Sequence, residues 1–186
     1  MASAFEDPAI VRTRHWLETA VIGLNLCPFA KAVHVRGQVR YVLSSATDET
    51  TLLADLVHEL ESLQDADPER VETTLLVHPR VLGDFLDYNQ FLELADAAVS
   101  ELELEGEIQV ASFHPDYRFA GSAADDIDNF SNRAPYPTLH LLRESSVARA
   151  VAAFPDAARI YERNIDTLRA LGHAGWRALW TAPGGD

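Results

Sequence analysis

Three runs rich in β-branched and apolar residues, Val39–Ser44 (VRYVLS), Glu72–His78 (ETTLLVH) and Ile108–His114 (IQVASFH), are separated by two long amphipathic stretches. Between the first two runs, Asp48–Gln64 places Leu52, Leu53, Leu56, Val57, Leu60 and Leu63 on one stripe, the spacing of a helix that buries one face. Asp84 then caps a second stretch carrying Phe85, Tyr88, Phe91, Leu92, Ala95, Ala98, Val99 and Leu102, and Gly106 ends it. Strand, helix, strand, helix, strand is the order of parallel crossover units, so an α/β fold is expected, with three largely parallel strands and their helices packed on the sheet. Pro79 and Pro115 close the second and third strands because proline cannot donate to a ladder. Pro137–Arg143 (PTLHLLR) reads as a fourth strand, expected antiparallel on an edge. The other architecture compatible with these elements is an α+β ferredoxin-like one.

The flanking segments read as helical. Pro8–Asn25 has Ile10, Val11, Leu17, Val21 and Ile22 at helical spacing, with Gly23 near its end. Pro28 suits the first position of a short helix that Cys27 would cap. After the fourth strand, Val147–Ala153 is expected as a helix. A new one starts at Phe154-Pro155-Asp156, carries Ile160, Tyr161, Ile165, Leu168 and Leu171, and ends at Gly172. Trp176, Leu179 and Trp180 recur beyond it and should pack back on the body.

With 186 residues, 47% of them hydrophobic, and no break in composition, one domain spanning 1–186 is expected. A net charge of −14 sets the protein's own field against nucleic acid and anionic membrane surfaces, so neither is expected as a partner. No stretch is long and apolar enough for a membrane span, and MASAFEDPAIVRTRHW lacks the apolar core of a signal peptide. The single cysteine, Cys27, excludes an internal disulfide and fits a reducing, cytoplasmic location.

Function is expected where the chain departs from regular structure. From His114 to Tyr136 it forms a loop far longer than the ~4–6 residues that usually join elements, and such loops in compact domains are functional or disordered. The aromatics Tyr117, Phe119, Phe130 and Tyr136, alternating with charged and amide residues, favour an ordered loop. In parallel sheets ligands bind beyond the carboxyl ends of the strands, where His78 and His114 stand.

His114 is a candidate general base, Tyr117 joins it among the candidate catalytic residues, and Tyr117 and Tyr136 are candidate pocket walls. The alternative for His114 is a latch bonded to its own loop. Arg118, Arg133 and Arg143, with Asn132, could orient a carboxylate or phosphate, since arginine binds such groups through paired hydrogen bonds. They could equally pair with nearby aspartates, as Arg133 with Asp128. Cys27 is a nucleophile only if it faces the same pocket, and otherwise a small buried apolar residue. A divalent metal held by His78, His114 and Asp126 is chemically permissible, but the spacing does not specify it and it is not favoured. Phosphate-binding motifs of the GxxxxGK[ST] and GxGxxG kinds and the GxSxG nucleophile elbow are absent.

Four segments, GLNLCPFAKAV, FHPDYRFAG, NRAPYPTLHLLRE and ERNIDTLRALG, together resemble bacterial domain-of-unknown-function family 1415 over nearly the whole chain. The resemblance implies a stand-alone bacterial domain and carries no activity with it. The residues themselves lead to the expectation of a small cytoplasmic enzyme acting on a small anionic or amino-acid-like substrate in a pocket under the 114–136 loop. A non-catalytic ligand-binding or protein-interaction module is the alternative.

Overall fold

The computed structural model describes residues 7–154 and 159–180. The chain enters through helix α1 (Pro8–Trp16), which continues as a π-helical turn, Leu17–Ile22. Then come α2 (Ala30–Val35), β1 (Val39–Leu43), α3 (Glu49–Asp65), β2 (Thr73–Val77), α4 (Phe85–Glu101) and β3 (Ile108–Phe113). The long loop holds one 3₁₀ helix, Ile127–Asn132, and is followed by β4 (Thr138–Arg143), α5 (Glu144–Ala153) and α6 (Ile160–Ala178). The helix start expected at Pro155-Asp156 and the first residues of the N-terminus lie outside the described residues. Gly172 takes a non-helical φ of 64° and breaks α6, after which the chain turns helical again toward Trp176.

The fold is α/β, a four-stranded mixed sheet in the order β1-β2-β4-β3. β1 and β2 pair in parallel, and β4 pairs antiparallel with both β2 and β3, so β1, β2 and β3 share one direction as expected. The placement of β4 at an edge is corrected: it fills the slot between β2 and β3. The α4 crossover sets β3 two places from β2, and the long loop is long enough to return β4 into the gap. Leu139 and Leu141 lie fully buried there.

Side chains alternate between two layers, as the period of two in a strand requires. Val42, Leu76, Val110, Leu139 and Leu141 face a core shared with Leu52, Leu56, Leu60 and Leu63 of α3 and with Tyr88, Phe91, Ala95 and Val99 of α4. Burying each such leucine contributes about 1.5–3 kcal/mol of transfer free energy. Val39, Tyr41 and Phe113 face the other way, into a core built from Trp16, Leu17, Ala20, Val21, Leu168 and Trp176. Asp84 caps α4 as the sequence reading has it, but α4 ends at Glu101 and not at Gly106, and α3 has Asp48 as its cap. Asp48 accepts from Thr51 N at 2.8 Å and Asp84 from Leu86 N at 2.8 Å.

Cys27 does not cap α2. A turn closes first, with Ala30 N bonded to Cys27 O at 3.3 Å, and the helix starts only after it. Among the described residues no helix is long and apolar enough to cross a membrane.

Candidate functional site

β2 and β3 end at the two His-Pro dipeptides, and both ends are tied to the far side of the long loop. His78 N donates to Pro137 O at 3.0 Å and His114 N to Asn132 O at 3.2 Å. The two imidazoles lie on the α4 side of the sheet and neither is exposed. His78 stacks on Tyr88 with ring centres 5.8 Å apart, and His114 packs against Tyr88 at 5.0 Å and Phe85 at 5.5 Å. Tyr88 fixes itself by donating to Thr138 O at 2.8 Å.

Hydrogen bonding assigns the imidazole protons. A backbone N–H can only donate and a carbonyl only accept. Asp116 N–H points at Nδ1 of His114 (3.0 Å), so Nδ1 is bare and Nε2 carries the proton it donates to Leu82 O (3.0 Å). Nδ1 of His78 donates to Val81 O at 3.1 Å, which leaves its Nε2 bare, buried and without a partner among the described residues. Burial favours the neutral form of both rings. It lowers the pKa of His114 and brings that of His78 down to about 4.

Next to His114 the start of α4 and the first turn of the loop enclose a shallow pocket of about 220 Å³, lined by Gly83, Asp84, Phe85, Leu86, Asp116, Arg118 and Ala124. Arg118 is exposed, with no hydrogen bond or ion pair to any described residue. Tyr117 stands beside this pocket, its ring 5.3 Å from Phe85 and 5.0 Å from Phe119.

The loop that presents Asp116 and Arg118 is braced from within. Fully buried Asn129 accepts from Phe119 N (3.0 Å) and Ser122 Oγ (2.7 Å) and donates to Ala123 O (2.8 Å). Arg133 lies over the Phe130 ring at 4.2 Å and donates to Tyr117 O and Ala124 O. Its partners are therefore backbone carbonyls, and the Arg133–Asp128 pair, one of the two alternatives read from the sequence, does not form. Asp128 is held instead by Arg169 of α6 through two bonds of 3.0 and 2.6 Å. Phe130 packs edge-on against His173 and Trp176 and seats the loop on α6.

The other candidates lie elsewhere. Cys27 packs against the core on the α1 and α6 side, on the opposite face of the sheet from the α4 side where His114 lies. Tyr136 also belongs to that side, packed near Ala9 and Ile10 and accepting from Arg12 at 3.4 Å. Asn132 donates to Ser112 O at 3.3 Å. Arg143 pairs in register with Ile108, at the opposite end of β3 and about 20 Å from His114 along the strand. There it donates to Leu63 O (2.6 Å) and Ala66 O (2.7 Å), closing the carboxyl end of α3. Asp126 accepts from Asp128 N at 3.1 Å as the cap of the 3₁₀ helix. No group of three or more His, Cys, Asp or Glu among the described residues is placed to hold a metal ion.

Asp84 and Asp116 were not among the expected site residues. Asp84 reads in the sequence as a helix cap and nothing more. Asp116 follows His114 by two positions, and that proximity is the signal that could have found it.

Searches of curated proteins and of solved structures returned no match. A family model described as "Protein of unknown function (DUF1415)" matches residues 8–178. The chain belongs to that family.

Proposed function

We propose that the protein binds a small ligand carrying both a carboxylate and an ammonium group, an amino-acid-like molecule, in the pocket between the start of α4 and the first turn of the long loop. The observation that carries this reading is that Arg118, without a partner of its own among the described residues, lines the same pocket as Asp84 and Asp116. A guanidinium without a protein partner is available to bind a carboxylate through two parallel hydrogen bonds, and the two aspartates complement an ammonium group. Phe85, Leu86 and Ala124 offer an apolar surface for the ligand body. A volume of about 220 Å³ is below the ~300–1,000 Å³ typical of drug-sized sites, in keeping with a ligand the size of an amino acid.

Binding is favoured over proton transfer by His114, because each of its nitrogens already serves a backbone group. In an enzymatic version Asp116 is the acid–base group, since Asp84 spends one oxygen capping α4. The family resemblance and the lone cysteine support a bacterial, cytoplasmic protein. The acidic charge supports a small-molecule partner over nucleic acid or an anionic membrane.

The test is a thermal-shift screen of the full chain against the common L-amino acids, with Arg118→Ala alongside. A ligand that binds only the folded state at a hundred times its Kd adds about 2.7 kcal/mol, a readily measured rise in Tm. At least one amino acid should stabilise the wild type and lose that effect in the variant. No shift at millimolar concentration, or equal shifts in both proteins, rejects the reading.

A further inference from the structure

The two walls of the pocket belong to separate parts of the chain, and one side chain joins them. Gly83 to Leu86 follow Leu82, while Asp116 and Arg118 open the long loop. His114 Nε2 donates to Leu82 O at 3.0 Å and its Nδ1 accepts from Asp116 N at 3.0 Å. We propose that His114 is a positioning residue that clamps both walls of the pocket through its two ring nitrogens, setting Arg118 and Asp116 against the start of α4. This deepens the amino-acid reading and rests on it for the ligand, although the clamp itself is defined without one.

Leu82 gives the clamp something to hold. It is a buried leucine at φ 58°, a left-handed conformation that is sterically unfavourable for a residue with a Cβ. Strain of that kind persists where the surroundings fix it, and here the carbonyl is fixed by His114 while the side chain sits in the α3–α4 core. The ring has no freedom to choose another partner. Phe85 and Tyr88 pack against it, and His78, alongside, engages the preceding carbonyl of the same loop.

Two substitutions dissect the clamp. In His114→Asn the side-chain oxygen can stand where Nδ1 accepts, and the bond to Leu82 is lost. In His114→Gln the amide nitrogen can stand where Nε2 donates, and the bond from Asp116 is lost. With labelled full-length protein and no ligand, the Leu82 carbonyl-carbon and Asp116 amide-proton shifts report the two bonds separately. His114→Asn should move the first and keep the second, and His114→Gln the reverse. Variants that move both signals, or neither, overturn the clamp. Should either variant fail to fold, the wild type decides: a scalar coupling between Asp116 N and His114 Nδ1 across the hydrogen bond supports it, and its absence overturns it.

The ligand arm is separate. For an L-amino acid that stabilises the wild type, each variant should weaken binding at least tenfold, and unchanged affinity overturns the positioning role. A screen in which no amino acid binds rejects the ligand reading and leaves the shift measurements to decide the clamp alone.

Discussion

His78 and His114 engage consecutive carbonyls of one loop from opposite ring nitrogens: Nδ1 of His78 donates to Val81 O at 3.1 Å, and Nε2 of His114 donates to Leu82 O at 3.0 Å. The two His-Pro dipeptides thus fix the path by which β2 hands the chain to α4. They also require opposite tautomers. In a long-range proton–nitrogen spectrum at pH 7.5, His78 should show a bare Nε2 and His114 a bare Nδ1. Identical tautomers would contradict the assigned bonds.

Acid should weaken the fold through these rings before the carboxylates titrate. Burial lowers the pKa of His78 from 6.5 to about 4, does the same for His140 of β4, whose Nε2 lies 2.7 Å from Thr73 Oγ1, and lowers that of His114 in the same direction. In the unfolded chain each ring takes up a proton near pH 6.5, while the folded protein resists doing so. The unfolded state therefore binds more protons in this window. The stabilisation is complete above about pH 6.5 and is lost as pH falls toward 4, by at most about 1.4 kcal/mol per pH unit for each histidine. Urea midpoints taken between pH 7 and pH 5 should decline steadily. A flat profile would mean that the rings stay hydrated or find acid-stable partners.

Two arginines of the same loop should behave in opposite ways. Arg118 is exposed and pairs with nothing among the described residues, so Arg118→Ala should leave stability within about 0.5 kcal/mol of wild type. Arg133 holds two loop carbonyls and covers Phe130, so Arg133→Ala should cost roughly 2 kcal/mol. Denaturant unfolding of both variants checks the contrast. Equal losses would place Arg118 in the scaffold and remove it from the ligand site.

The strands, the two central helices and the loop were legible because each is written in local periodicity. The place of β4 was not. Thr138, His140 and Leu142 alternate with Leu139 and Leu141 in a way that suits an edge strand or a central one equally well. What decides is the gap left by the α4 crossover, a property of the whole sheet. The loop was recognisable as ordered, yet His114, Arg133 and Asn132 turned inward to carbonyls while Arg118 remained open. A histidine or arginine that binds its own backbone has the same letter as one that binds a ligand. Only the direction of each donor separates them.

The π turn that ends the first helix depends on one glycine. Gly23 N donates to Glu18 O at 3.0 Å, a bond reaching back five residues, and a Cβ at this position would collide with the Thr19 carbonyl. The turn carries Leu17, Ala20 and Val21 into the core against Leu168 and Trp176, so the clash cannot be relieved by letting the turn swing outward. Gly23→Ala should therefore destabilise the protein by about 1–3 kcal/mol, the usual cost of forcing extra volume into packed surroundings. Ala is the better helix former, and in an ordinary exposed helix the same change would stabilise by up to about 1 kcal/mol. The sign of the change in the urea midpoint thus decides whether the π geometry is held in solution: a rise would show that the turn relaxes to a regular α-helix.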